Sequence, residues 1–307
     1  MGKQDFHVRY LDWMKARKPD LSPLRLGIDC SNGMASLLVP ELFHDAEIIN
    51  ATPDGTFPSH SPNPLKAEAR EQIAALVREK GLDCGVIFDG DADRAMFVDE
   101  SGAFVQPDYL IPIVAEATRA VLKPASARPI VLHDVRTSRG ATEVLRERGF
   151  EPVMVPVGHA FAKPKMRELG ALCGGELAGH YYFGEFFGCD SGVLAAMRVL
   201  GAAAQAKARG ETFSQMMKPI VSRYANSGEL NFKVADKDAA ILRVLAAAKA
   251  FGAETGRSEI DGVRLEFADG WISVRKSNTE PYLRLLVEAT TRERLQDWVT
   301  RLTAVIQ

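Results

Sequence analysis

Three carboxylates at alternate positions, Asp89, Asp91 and Asp93, and then a guanidinium, Arg94, close an apolar run that begins at Cys84 (Cys-Gly-Val-Ile-Phe-Asp-Gly-Asp-Ala-Asp-Arg). Like charges crowded this closely repel, and at neutral pH they persist together when a cation neutralises them. An all-oxygen ligand set suits a hard divalent ion, Mg2+, Mn2+ or Ca2+, better than zinc. Beside such an ion the forked guanidinium of Arg94 fits a phosphate oxygen.

Three other readings of this run compete. With Glu100 as twelfth residue it mimics a calcium-binding EF-hand loop, but Arg94 stands where that loop needs glycine, and both flanks read as strands instead of helices. An apolar strand ending in Asp89 also fits the nucleophile of a haloacid-dehalogenase-type phosphotransferase. The plainest reading is a solvated acidic turn, since turns favour Asp and Gly.

Two further loops carry chemistry. Gly174-Gly175-Glu176-Leu177-Ala178-Gly179-His180 sets a carboxylate and an imidazole among glycines, where Glu176 can accept from polyol hydroxyls and His180 can donate to one or relay a proton. Arg275-Lys276-Ser277-Asn278-Thr279-Glu280-Pro281 gathers cations, hydroxyls and an amide in one turn, as a phosphate cradle requires. Taken singly, each also reads as an ordinary polar turn.

The elements that position these loops follow from pattern. Residues 5–17 read as a short amphipathic lead-in helix, with Phe6, Tyr10, Leu11, Trp13 and Met14 mostly on one side. A buried strand from Leu24 to Asp29, a helix toward Phe43, a proline-rich loop over 51–65, a helix over 66–80 closed by Gly81 and a strand to Phe88 make a βαβ-like unit. Its acidic loop falls at a strand's carboxyl end, where open α/β sheets collect ligands. The pattern repeats after Pro124: strand 130–135, a helix capped by Thr137 or Ser138 and ending at Gly149, strand 153–157, and a closing Ala-rich helix over 191–208 stopped by Gly210. From about Arg223 the pattern changes, with strands at 271–275 and 283–288 around a polar turn. A final helix follows, capped by Thr290 with Glu293, whose Leu295, Trp298, Val299, Leu302 and Ile306 read as core. The expected fold is α/β: a linker helix over 1–22, two tandem α/β domains with parallel or mixed sheets over 23–124 and 125–222, and a smaller α+β domain over 223–307.

Composition narrows the function. The chain has 307 residues, 46% hydrophobic and 25% charged, with a formal net charge of -2 and no Lys/Arg run, so it shows no electrostatic footprint for nucleic acid and points to a small-molecule partner. Cys30, Cys84, Cys173 and Cys189 stand far apart, which argues against a zinc site or disulfide framework and for reduced thiols in a cytoplasm. The polar start does not read as a signal peptide, and no apolar stretch reaches membrane-helix length, so neither export nor a membrane partner is expected.

The three loops, in this order, resemble those of the α-D-phosphohexomutase family, the phosphomannomutase/phosphoglucomutase enzymes. Pro53-Asp54-Gly55-Thr56-Phe57-Pro58 and Gly158-His159-Ala160-Phe161-Ala162-Lys163 extend the resemblance over nearly the whole chain. It implies an isomerase that interconverts hexose 1-phosphate and hexose 6-phosphate through a hexose bisphosphate. It further implies Mg2+ on Asp89, Asp91 and Asp93, with Arg94 on the transferring phosphate and Arg94 and His180 as catalytic groups. Glu176 and His180 would read sugar hydroxyls, and His159, Lys163 and Arg136 would line the cleft, Arg136 standing where many relatives have lysine. Arg275, Ser277, Asn278 and Thr279 would anchor the distal phosphate.

One departure qualifies this. The family's N-terminal domain, with its phosphorylated serine in a Thr-x-Ser-His-Asn-Pro motif, has no counterpart before the first α/β strand. Ser59-His60-Ser61-Pro62-Asn63-Pro64 superficially resembles that motif but lies within the later proline-rich stretch. Two expectations therefore stand: the greater part of a mutase, inactive alone, whose phosphoserine domain is absent by truncation or supplied by a separate chain, or a non-catalytic sugar-phosphate-binding protein.

Overall fold

The computed structural model describes residues 6–277 and 281–306. Leu26–Asp29 (β1) is buried along its whole length, as a strand covered on both faces must be, and it pairs in parallel with Glu47–Ile49 (β2) and Cys84–Phe88 (β3). After the acidic loop the chain returns antiparallel as Ala95–Asp99 (β4) and Phe104–Val105 (β5), giving a mixed sheet of order β2-β1-β3-β4-β5. The crossovers carry Val39–Leu42 (α2), shorter than the helix expected there, and Glu71–Lys80 (α3), which ends on Gly81 in the left-handed region at φ 60°.

The second sheet repeats this topology. Ile130–Asp134 (β6) pairs in parallel with Glu151–Val155 (β7) and Cys173–Gly175 (β8), and Tyr181–Phe183 (β9) and Cys189–Asp190 (β10) return antiparallel. Ile111–Leu122 (α4), Arg139–Glu147 (α5), His159–Leu169 (α6) and Gly192–Ala208 (α7) surround it. Ser138 and Ser191 cap α5 and α7 through their side chains, so Ser138, not Thr137, is the cap of α5. The Ala-rich helix α7 does not close this region: Phe213–Val221 (α8) follows, started by a reciprocal capping box between Thr212 and Gln215. One continuous core runs through both α/β units, and it includes Leu11 and Met14 of Phe6–Lys15 (α1). The lead-in helix is thus packed, with Trp13 and Phe186 rings 5.3 Å apart, while Phe6 points to solvent.

The third sheet is antiparallel: Ala225–Asn226 (β11), Leu230–Phe232 (β12), Glu254–Ser258 (β13), Val263–Phe267 (β14), Gly270–Lys276 (β15) and Leu283–Ala289 (β16). Lys237–Ala248 (α9) and Arg292–Ile306 (α10) complete a separate core, in which Trp298, Leu302 and Ile306 are buried. The cap of α10 is Thr291, whose hydroxyl accepts from Arg294 N; Thr290 instead donates its N–H to Asp269 O at 2.8 Å, which ties it to the β14–β15 turn and starts the helix one residue late.

Candidate active site

β3 delivers Asp89 at its carboxyl end, and the chain turns sharply there, with Ala92 at φ 65°. The turn of residues 31–33 braces this loop from behind. Met34 N donates to Gly90 O at 2.9 Å, and a Cβ on Gly33 would lie 2.5 Å from Gly90 O, so only glycine permits this approach. Asp89, Asp91 and Asp93 each bring a carboxylate oxygen to within 4.8 Å of the others, which is the juxtaposition their spacing anticipated. Asp89 is buried and its oxygens accept from Arg94, Oδ2 from Nε at 2.7 Å and Oδ1 from N at 3.1 Å. Burial pushes its carboxyl up to about 6 against the pull of Arg94.

The glycine-rich loop folds back on itself. Gly174 leaves no room for a side chain, since a Cβ would meet Leu132 at 2.8 Å, and Gly179 sits at φ 89°. Glu176 N donates to His180 O, which returns His180 toward β9. This loop and the acidic loop come from different sheets yet meet directly: Arg94 and His180 pair as an isolated antiparallel bridge, and Ala95 N donates to Gly179 O at 3.2 Å. His180 Nδ1 stands 3.6 Å from Asp93 and 2.9 Å from Asp190 Oδ2. Asp190 also holds Lys163 Nζ at 2.8 Å, and its carboxyl, though penalised by burial, is drawn down to about 2 by His180 and Lys163. For His180 burial disfavours the charge, but Asp190, Asp93 and Glu176 raise its pKa. The His159 ring stands 6.3 Å from that of His180.

Asp190 escaped the sequence reading. Its only signal was its place one residue before Ser191, the cap of α7. Glu176 differs from expectation in another way: it lies beneath the loop, almost wholly buried, with Oε1 accepting from Tyr182 OH at 2.5 Å and Oε2 3.7 Å from Arg136. Gly174, Gly175 and Gly179 let the backbone close over it, so it faces a guanidinium where exposure to sugar was expected.

The third group gathers at the junction with the antiparallel domain. Arg136 is buried and donates from Nη2 to Asp134 Oδ2 at 2.6 Å. Burial works against a charged Asp134, yet Arg136 and backbone donors hold its carboxyl below the usual range. Arg275 and Arg284 face each other across β15 and β16, and between them lies Glu229: Oε1 accepts from Arg275 Nη2 at 3.1 Å and Oε2 from Arg284 Nη1 at 2.9 Å, with Arg136 Nη1 3.6 Å away. Glu229 and Arg284 were also missed, since nothing near either in sequence marks it. Ser277 is buried beside Arg275, and Lys276 turns outward to Asp238. Asn278 and Thr279 lie outside the described residues.

Comparison with known proteins places the chain in one family. Residues 8–102, 106–224 and 229–305 match, in order, the models for phosphoglucomutase/phosphomannomutase alpha/beta/alpha domain II, alpha/beta/alpha domain III and C-terminal domain. The chain is 37% identical over 291 residues to a phosphomannomutase/phosphoglucomutase of Pseudomonas syringae pv. tomato, covering 93% of this chain and 60% of the relative. The crystal structure of a phosphoglucomutase/phosphomannomutase family protein from Burkholderia thailandensis superposes with a TM-score of 0.84 at 30% identity, over 98% of this chain and 64% of that one. An Aspergillus fumigatus N-acetylphosphoglucosamine mutase, solved with GlcNAc-6P and magnesium, shares the fold at a TM-score of 0.68 and 15% identity, over 97% of this chain and 70% of that one. The chain spans 59% to 63% of the length of the curated relatives it matches.

Proposed function

Because the chain belongs to the phosphoglucomutase/phosphomannomutase family, we propose that its cleft binds hexose phosphate and hexose bisphosphate for the interconversion of hexose 1- and 6-phosphates. The observation that carries this reading is the direct contact of the acidic and glycine-rich loops through Arg94 and His180. A metal-binding turn and a proton-carrying imidazole are thereby adjacent, and Glu176 and Arg136 connect the glycine-rich loop to the phosphate cradle.

Asp89, Asp91 and Asp93 hold Mg2+, for which an all-oxygen, convergent donor set is suited. When bound there, the ion supplies positive charge that makes a phosphoryl group electrophilic. Asp89 engages Arg94 Nε and Asn63 Oδ1 accepts from Nη1 at 3.4 Å, so Nη2 is the atom for the transferring phosphate. Asp190 fixes His180 through Nδ1, which leaves Nε2 to exchange a proton with a sugar hydroxyl. His159 and Lys163 line the same side, while Glu176 acts from beneath, holding Arg136 and Tyr182. Arg136, Arg275, Ser277, Asn278 and Thr279 anchor the distal phosphate. Positioning and charge neutralisation of this kind dominate phosphoryl transfer. Asp89 is a poor nucleophile by contrast, since both its oxygens are engaged by Arg94.

In this reading the chain binds its substrate but does not turn it over by itself. Among the described residues neither Ser59 nor Ser61 has an activating base: the ring nitrogens of His60 face Asp29 Oδ2 at 3.0 Å and the carbonyl of Ser61 at 2.9 Å, not a hydroxyl. The buried free thiols Cys30, Cys84 and Cys173 fit a reducing, cytoplasmic setting. A coupled mutase assay with Mg2+ and hexose bisphosphate tests this, run with and without a separately expressed phosphoserine domain. No turnover alone and turnover on addition are expected. Turnover alone, with phosphate found on Ser59 or Ser61 by mass spectrometry, overturns it.

A further inference from the structure

Arg275 and Arg284 stand directly opposite each other in antiparallel register, an arrangement that repels unless an anion sits between them. Glu229 is that anion. One of its oxygens accepts from Arg275 at 3.1 Å and the other from Arg284 at 2.9 Å, and Arg136 approaches the first to 3.6 Å. The other carboxylates here have narrower reach: Asp134 and Glu176 serve Arg136, and Asp261 stands 3.8 Å from Arg275 while accepting from Val157 N. Among the described residues Glu229 alone meets all three guanidiniums, in the two-oxygen geometry that a phosphate monoester also offers.

We propose that Glu229 is a resident anion of the phosphate cradle, which the phosphate of the substrate displaces. This rests on the reading of Arg275 and its neighbours as that cradle. Two features fit a displaceable group better than a fixed strut. Buried Arg275 Nε has no acceptor among the described residues, so the cradle has a place for one oxygen more than a carboxylate supplies. The backbone before Glu229 is tied down, with Gly228 N donating to Asn226 Oδ1 at 2.8 Å and Ser227 N to Val287 O at 2.9 Å, while the Glu229 side chain keeps 18% of its exposure. Departure is therefore a side-chain rotation. The exchange favours a dianionic phosphate over an uncharged sugar hydroxyl, so Glu229 sets the threshold of charge a ligand must carry.

The test is Glu229→Gln, which keeps shape and one acceptor but removes the charge. Titration calorimetry with inorganic phosphate and with glucose 6-phosphate should show about tenfold tighter binding of both by the variant. Its melting temperature should fall in phosphate-free buffer and rise more than that of the parent chain when phosphate is added. In crystals of the unaltered chain grown with phosphate, the Glu229 carboxylate should have left Arg275 and Arg284. Equal or weaker binding by the variant, or a carboxylate still on both arginines beside bound phosphate, overturns the proposal and leaves the cradle standing. Failure of both chains to bind phosphate and glucose 6-phosphate overturns the cradle itself and the proposal with it.

Discussion

At the proposed metal end the charged groups come from one turn, residues 89–94, and Asp91 stays exposed to water; at the proposed phosphate end Arg136, Glu176, Glu229, Arg275 and Arg284 come from separate elements and lie against one another. The acidic turn is shaped largely by backbone bonds and carries three carboxylates against one guanidinium. The cradle reaches charge balance internally before any ligand arrives. It also rests on a buried polar seam between α5 and the third sheet: Arg264 Nη1 donates to Val135 O and Thr137 O, and Arg139 donates to Glu266, Phe267 O and Gly270 O. Substitutions at the phosphate end should therefore cost folding stability, and a substitution at the exposed Asp91 should cost ligand alone.

The largest effect is expected at Glu288, which is fully buried and accepts from Arg139 N at 2.8 Å, Trp271 Nε1 at 2.7 Å and Asn226 Nδ2 at 3.1 Å. Glu288→Ala strands three donors, and each unsatisfied buried group costs about 1–3 kcal/mol, so urea unfolding should report a loss of about 3 kcal/mol or more. Glu288→Gln, which keeps an acceptor, should lose less. If the alanine variant falls by under about 1 kcal/mol, the seam is not what holds the phosphate end together.

Asp108 gives the same end a pH signature. Its Oδ2 accepts from Ser138 N at 2.9 Å while Oδ1 meets no donor among the described residues, and burial, with Glu288 and Asp134 near, raises its carboxyl from 3.8 to about 7. The folded chain therefore holds this proton more tightly than the unfolded one, and the associated stability drains away as pH rises from about 4 through 7. Asp108→Asn removes the titration, so its stability relative to the parent chain should rise by about 2 to 3 kcal/mol between pH 5 and pH 8. His133, held near 4 by burial, weakens the fold in the opposite direction, as pH falls below 6.5, and cancels when the two chains are compared. A pH-independent difference would mean that Asp108 is not protonated in the folded chain.

The same contrast governs what the sequence alone could reveal. Asp89, Asp91, Asp93 and Arg94 are legible because one run carries both the charges and the turn that converges them. The apolar runs of β1, β3 and β6 are legible for a similar reason, since strands buried on both faces need no alternation. Glu229 and Arg284 are not, because only the register of β12, β15 and β16 brings them to Arg275. β13, Glu-Thr-Gly-Arg-Ser, is an edge strand without an apolar face, so no pattern announces it. The capping box of α8 was readable and passed over. Thr291 won over Thr290 through a contact with Asp269 that local spacing does not encode.

The smallest effect on the fold, and the sharpest on ligand, is expected at Asp91. Its side chain is exposed, and among the described residues it has no hydrogen bond or ion pair, so Asp91→Asn should leave urea-unfolding stability within about 0.5 kcal/mol. Yet its oxygen is one of three that converge within 4.8 Å, and magnesium, which keeps several waters, depends on each carboxylate it does gain. Calorimetric titration with MgCl2 should therefore show a weak site on the parent chain and none on the variant. Equal magnesium binding by the two chains would remove the acidic turn from the metal assignment. A loss of stability comparable to that of Glu288→Ala would erase the distinction between the two ends, because it would mean that the turn, like the cradle, is held together by its own charges and not by the backbone that shapes it.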